Sequence, residues 1–264
     1  MNNRFPEIMG ILNVTPDSFS DGGRHYARQE AIKGAFRLID EGADILDVGG
    51  ESTRPGSDSV PEDEELKRIV PVIEAVRKDN SSIKISIDTT KYAVAKAALD
   101  AGADIINDIS GLNYDKKLAE LAAERDCPLI VMHMQGIPKT MQDEPRYNNV
   151  VEDVFHDLQY KINLAYSYKV KKVWADTGIG FGKNMEHNLQ LLKNHDEFTK
   201  LNVPLVLGLS RKSFIGRITG IENPGERDLP TLIIHALLAD KKIDVIRVHD
   251  VKSHNMLRDI KSYF

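Results

Sequence analysis

The chain has 264 residues, 41% hydrophobic and 28% charged, a balance that ordinary globular domains show and disordered chains do not. Thirty-five bases against 40 acids leave a net charge of -5 with no Lys/Arg block. That excludes general nucleic-acid or anionic-membrane binding, because a polyanion repels an acidic body.

From the N-terminus, residues 1–7 carry Arg4 but no apolar core of signal-peptide length, so no targeting segment is expected. Residues 8–14 form the first apolar run and read as a strand. Over 30–39, Ala31, Ala35, Leu38 and Ile39 recur at helical spacing, with Gly42 as the stop. Strand 44–48 follows. Pro61-Glu62-Asp63-Glu64-Glu65 then places acids in the first turn of a helix backed by Leu66, Ile69, Val70 and Ile73. Strand 83–87 leads to a helix over 92–99 that ends at Gly102, and strand 104–109 comes next. The motif Gly42-Ala43-Asp44 returns as Gly102-Ala103-Asp104, each time between a helix and a strand. Strand 128–132 opens just after Cys127, a lone cysteine that reads as a buried small hydrophobe in a reducing, cytoplasmic protein. A long helix spans 148–168, with Val151, Val154, Leu158, Ile162 and Ala165 on one face. Strands 172–175, 204–209 and 244–248 complete the series.

Runs such as Leu129-Ile130-Val131-Met132 lack polar alternation, as strands buried on both faces do. Eight strands in 264 residues give about 33 residues per unit, the length of one βα repeat. The pattern predicts one domain over 1–264, a (β/α)8 TIM barrel, with an open doubly wound sheet as the alternative. No stretch approaches the roughly 18 apolar residues of a membrane span.

Every strand ends in a polar residue: Asn13, Asp47, Asp88, Asn107, His133, Asp176, Ser210 and His249. One alone is explained by a turn or helix cap. Eight converging on one barrel mouth point to a ligand site. Asp88, Asp176 and Asn107 are acceptors suited to a flat heterocycle bearing N–H donors. Arg211-Lys212 and Arg247 with His249 supply cations at the last two strands, where barrels often hold phosphate. The Gly-rich turns 21–23 and 178–182 allow close backbone approach to a ligand, although plain tight turns explain them equally well. Spacing thus supports a small-molecule enzyme for a flat ring and an anion, and it leaves the reaction open.

Segments in order along the whole chain resemble the dihydropteroate synthase family of pterin-binding barrels. They are Met9-Gly10-Ile11-Leu12-Asn13-Val14-Thr15-Pro16-Asp17-Ser18-Phe19, Asp47-Val48-Gly49-Gly50-Glu51-Ser52-Thr53-Arg54-Pro55-Gly56, Ser86-Ile87-Asp88-Thr89 and Asn107-Asp108-Ile109-Ser110-Gly111. Further along come Met132-His133-Met134-Gln135-Gly136, Gly180-Phe181-Gly182-Lys183, Gly208-Leu209-Ser210-Arg211-Lys212-Ser213-Phe214 and Arg247-Val248-His249-Asp250-Val251. One departure is Thr177, where the family commonly has proline. It is expected to change loop stiffness more than ligand chemistry.

The resemblance implies condensation of 6-hydroxymethyl-7,8-dihydropterin diphosphate with 4-aminobenzoate, giving 7,8-dihydropteroate and pyrophosphate in folate biosynthesis. It implies that Asp88, Asn107, Asp176 and Lys212 hold the pterin edge, with Arg247 beside the ring and Ile109, Met132 and Phe181 lining the pocket. Asn13 would ligate Mg2+ and, with Arg247, His249, Thr53 and Arg54, would grip the diphosphate. The loop bearing Thr53, Arg54 and Pro55 and the loop over 15–23 would close on the aminobenzoate, with Phe181, Lys212 and Ser213 opposite. Asp88, Lys212, Arg247 and Asn13 would carry the catalysis, and His133 would be structural. The family also implies a homodimer through helices late in the chain. A pterin-dependent methyltransferase module, a non-catalytic pterin binder and a sugar-phosphate barrel enzyme are the rival readings. The first has less need of Lys212, Arg247 and His249, the second none for Asn13, and the third leaves Asp88, Asn107 and Asp176 idle.

Overall fold

Strands that lack polar alternation in sequence have both faces covered in the fold. The computed structural model describes residues 5–14, 24–52, 56–57 and 59–264. Eight parallel strands run β1 (Glu7–Asn13), β2 (Ile45–Gly49), β3 (Lys84–Asp88), β4 (Ile105–Asp108), β5 (Leu129–Met132), β6 (Val173–Asp176), β7 (Leu205–Leu207) and β8 (Val245–Val248). They pair in chain order, and β1 also pairs with β8 from Glu7↔Val245 to Gly10↔Val248. That last pairing closes the barrel and removes the open-sheet alternative, since no edge remains.

Around it lie α1 (Arg24–Asp40), α2 (Glu62–Asp79), α3 (Tyr92–Asp100), α4 (Lys117–Glu124), α5 (Val150–Ser167), α6 (Met185–Lys193), α7 (Ser213–Thr219), α8 (Asp228–Leu237) and α9 (Val251–Lys261). Among the described residues no helix is long and apolar enough to cross a membrane. Cys127 is buried, as its apolar neighbours predicted.

Two differences from the sequence expectation have local causes. The first helix starts at Arg24, six residues earlier than its apolar spacing suggested, because its first turns carry no periodic signal. The seventh unit holds two helices. Gly220 (φ 75°) ends α7 in the left-handed conformation that glycine adopts without strain, and Asn223 caps a 3-10 turn at Gly225 before α8 begins.

The repeated Gly-Ala-Asp motif has a physical purpose. Gly42 (φ 100°) and Gly102 (φ 111°) reverse the chain after α1 and α3. Asp44 then accepts from the Ile8 amide at 2.8 Å, and Asp104 from the Ile85 amide at 2.8 Å. Each aspartate satisfies an N–H near the start of the neighbouring strand on the barrel floor. Asp244 does the same for Leu205 at 2.8 Å without the preceding glycine.

The core has two compartments. A large one lies between sheet and helices. A smaller one, Met9, Ile45, Ile105, Ile130, Val206 and Val245 with Trp174 against it, fills the barrel interior. Side chains repeat their facing every second residue along a strand. Two positions further on, the same inward face therefore presents Asp47, Asn107, Met132, Asp176 and Arg247. The strand period alone carries the interior from apolar floor to polar mouth.

Candidate active site at the barrel mouth

Arg247 of β8 organises the polar layer. Its Nε donates to Asp47 Oδ2 at 2.5 Å and its Nη2 to Asp88 Oδ2 at 2.6 Å. Asn107 Nδ2 lies 3.4 Å from both oxygens of Asp47. One guanidinium thus serves two buried carboxylates, a geometry that breaks expensively because removing the cation strands buried charge. Burial pushes the Asp88 carboxyl from 3.8 up to about 7, against the pull of Arg247 and with help from Asp47. Burial works against the Arg247 charge as well, but Asp47 and Asp88 more than restore it and hold its pKa above the usual arginine value.

The other wall is built by β6 and α7. Asp176 accepts from the Gly178 amide at 2.7 Å, and Lys212, at the start of α7, sets Nζ 3.7 Å from the Phe181 ring centroid. That is a cation–π contact. Burial raises the Asp176 carboxyl from 3.8 to about 6, against the Gly178 amide and Lys212. Burial also lowers Lys212 from 10.5 to about 7, with Arg247 adding to the fall. Burial thus works against the charged form of Asp88, Asp176 and Lys212 alike. Phe181 joins Ile109, Met132, Met134 and Met141 in a separate apolar cluster beneath these groups. A flat ring can meet acceptors at its edge and apolar surface on its face.

The raised Asp176 pKa has a stability consequence. A carboxyl whose folded pKa is raised contributes stability that is fully present below about pH 4 and lost as pH rises through about 6. Asp176→Asn mimics the protonated form, so the variant is expected to melt higher than the parent at pH 8 and alike at pH 4. The rise from 3.8 to about 6 caps the gain at roughly 3 kcal/mol. Thermal melts at the two pH values check this, and equal melting points at pH 8 would refute it.

At the rim, Asn13 ends β1 with its side chain exposed, and Ser213 opens α7, also exposed. His249 follows β8, its Nδ1 2.9 Å from Ser210 Oγ. Arg211 departs from expectation. It is paired in a fork with Asp228 at 2.6 and 2.7 Å, so only Lys212 of the Arg211-Lys212 pair faces the mouth. Its positive φ of 60° turns its side chain back toward α8 instead. Thr53, Arg54, Pro55 and the loop over 15–23 lie outside the described residues. A cavity of about 340 Å³ opens beside Asp88, bordered by Glu51, Thr89, Ile109, Tyr114 and Ile137. A wider groove of about 620 Å³ between α1 and α9 lies on the outer wall, far from these strand ends.

Glycines of the β6 loop are required by close approach, which sequence could not decide. A Cβ on Gly178 (φ 65°) would sit 1.9 Å from the His133 carbonyl oxygen, and one on Gly182 (φ 60°) 2.4 Å from that of Gln135. Thr177 is buried and its hydroxyl has no partner among the described residues, so nothing in the structure explains its hydroxyl. Sequence reasoning placed Asp47 at a strand end but gave it no role, although its contact with Arg247 makes it central. His133 is buried and neutral, consistent with a structural place: burial first, then the nearby Lys183, depresses its pKa to about 2.

Comparison with known proteins matches this architecture. The pterin binding enzyme family matches residues 9–249. Dihydropteroate synthase of Haemophilus influenzae is 46% identical over 250 residues, covering 93% of this chain and 89% of that one. A probable bifunctional folylpolyglutamate synthase/dihydropteroate synthase of Haloferax volcanii is 46% identical over 92% of this chain, which spans 29% of that longer protein. The solved structure of Xanthomonas albilineans dihydropteroate synthase with 4-aminobenzoic acid superposes with a TM-score of 0.92 at 40% identity, covering 100% of this chain and 94% of that one. With fold and sequence in agreement over nearly the whole length, the chain belongs to the dihydropteroate synthase family of pterin binding enzymes.

Proposed function

We propose that this chain condenses 6-hydroxymethyl-7,8-dihydropterin diphosphate with 4-aminobenzoate, releasing 7,8-dihydropteroate and pyrophosphate, with residues 1–264 acting as one catalytic barrel. The observation that carries the reading is the pairing of buried acceptors (Asp88, Asn107, Asp176) with two cations (Lys212, Arg247) on one mouth. The acceptors suit the N–H edge of a pterin, while the cations suit a departing diphosphate.

In this reading Asp176, Asn107 and Lys212 orient the pterin edge, and Ile109, Met132 and Phe181 hold its faces. Arg247 has five N–H groups, of which Asp47 and Asp88 take two, so it retains donors for the diphosphate beside His249. The methylene C–O bond breaks and its electron pair leaves with pyrophosphate. Asp88 offsets the positive charge left on the pterin methylene. The arylamine nitrogen, lying against Phe181, Lys212 and Ser213, then forms the C–N bond and sheds a proton. Orientation matters more here than prior deprotonation, because holding the two reactants in line removes much of the barrier. Thr53, Arg54 and Pro55 complete the aminobenzoate and diphosphate contacts in this proposal.

Among the described residues no group of three or more His, Cys, Asp or Glu is placed to hold a metal. Asn13 offers a hard amide oxygen at the rim, which fits Mg2+ held mainly by substrate phosphate and water. When bound with diphosphate, Mg2+ would neutralise leaving-group charge.

Exposed Leu229, Ile233 and Leu237 form a stripe on α8, and Met256 and Ile260 continue it on the adjacent α9. They support the homodimer expected through late helices, and a monomer mass by light scattering would remove it. A cytoplasmic location belongs to the same proposal.

Pyrophosphate release from purified protein with the dihydropterin diphosphate and Mg2+, with and without 4-aminobenzoate, tests the reaction. Arylamine-dependent release with matching dihydropteroate supports it. Tight pterin binding without release would favour a methyltransferase module or a binder. Lys212→Ala is expected to raise KM for both substrates by about 10- to 100-fold, the worth of a charged hydrogen bond. Unchanged affinities would remove Lys212 from the shared wall.

A further inference from the structure

Lys183 is 2% exposed, and none of the steps above uses it. Its Nζ donates to the carbonyls of Gly178 at 2.9 Å and Phe181 at 3.0 Å, and lies 2.8 Å from His133 Nδ1. A fourth acceptor, the His133 carbonyl, stands at 3.4 Å. Burial draws the pKa of Lys183 well down, with the Asp176 carboxylate opposing the fall. Carbonyls only accept, however, and three short contacts to acceptors match the three N–H groups of an ammonium. With Nδ1 of a neutral His133 accepting, its ring proton is assigned to Nε2.

What Lys183 holds is a glycine-rich loop. Gly178, Gly180 and Gly182 all have positive φ (65°, 83° and 60°), and such glycines lose the most freedom on ordering. Other fixings do not tie it to the end of β5: the Phe181 amide donates to the Gly178 carbonyl at 3.0 Å, Asn188 accepts from the Gly180 amide at 2.7 Å, Gln142 donates to the Gly180 carbonyl at 2.5 Å, and Tyr147 donates to the Gly182 carbonyl at 2.7 Å. Among the described residues, Lys183 is the side chain that joins Gly178, Phe181 and the His133 ring at the end of β5. The two residues whose carbonyls it binds carry the site. Gly178 presents its amide to Asp176, and Phe181 presents its ring to Lys212.

We propose that Lys183 is a positioning residue for the condensation, acting through Gly178 and Phe181 to set the wall that both substrates share. This rests on the reaction proposed above. It acts by pinning two backbone carbonyls to the end of β5.

Lys183→Met keeps the length and removes the donors. It is expected to lower kcat/KM for 4-aminobenzoate by about 10- to 100-fold, on the scale of a lost charged hydrogen bond, while the folded circular dichroism spectrum is kept. In a Phe181→Leu background the same substitution is expected to cost under about threefold, because sites that act as a unit are not additive. By hydrogen exchange, the Gly178 and Phe181 amides should lose protection while those of β5 and β6 keep theirs. Full additivity with Phe181→Leu, an unchanged kcat/KM, or unchanged protection would each overturn the positioning role. Should Lys183→Met not fold, Lys183→Gln, shorter but still a donor, goes through the same cycle. An inactive parent protein would count against the proposed reaction, whereas the exchange measurement would still decide whether Lys183 pins the loop.

Discussion

Replacing Arg247 with methionine is expected to lower kcat about 100- to 1,000-fold, the cost of losing a donor aimed at developing charge. It should also lower folding stability by about 3–5 kcal/mol at pH 8, the usual cost of removing one partner from a buried ion pair. Both losses follow from one geometry, in which Nε and Nη2 of Arg247 are committed to Asp47 and Asp88. The pH dependence has a definite sign. Asp88 already has a raised folded pKa of about 7, and without the guanidinium it moves higher. A raised acid contributes stability that is present below its unfolded value and lost as pH rises. The deficit of Arg247→Met against the parent should therefore be largest at pH 8 and shrink toward pH 5. Urea unfolding at those two pH values measures it. A variant as stable as the parent at pH 8 would mean that the two carboxylates are relieved by something other than Arg247.

Asp88→Asn separates charge from shape. The amide keeps the size of the side chain and a contact with Arg247, but it cannot offset a positive methylene. A kcat loss of about 100- to 1,000-fold is expected, on the scale of other electrostatic contributions to catalysis. The fold should survive, because burial makes the Asp88 charge costly and the neutral amide is the easier group to bury. Steady-state turnover beside a thermal melt at pH 8 reads both quantities. Full activity in Asp88→Asn would remove the carbocation argument and leave Asp88 as a pterin-orienting group only.

The contacts around the mouth divide its labour further. Asp47 touches Arg247 and Asn107, so it acts on the mouth without needing to touch a substrate. Lys183 does the same for the opposite wall from behind the β6 loop. Both are buried: the partners of Asp47 come from β4 and β8, and those of Lys183 from its own loop and the end of β5.

Much of this protein was legible in its amino-acid order because the relevant physics is local or periodic. Strands such as Leu129–Met132 declare themselves by continuous apolar character, since a parallel strand in a barrel is covered on both faces. Asp88, Asn107, Asp176 and His249 were visible as polar stops on such runs, and the motif segments named the family. The spacing of one βα unit was enough to expect closure. Other features depended on what lies opposite in space. Arg211 and Lys212 are adjacent in sequence, yet one turns to Asp228 and the other to Phe181, a choice made by backbone conformation at Arg211. The glycines at 178 and 182 are compelled by carbonyls of His133 and Gln135, more than 40 residues away in the chain. Lys183 stands in the sequence only as the end of the segment Gly180-Phe181-Gly182-Lys183, and its partnership with His133 exists only once β5 and β6 are side by side. Sequence by itself determined which residues could line a barrel mouth, because strand period and burial are encoded locally. Only the tertiary structure decided which charges neutralise one another there, because electrostatic partnership depends on distance across strands that the chain order does not contain.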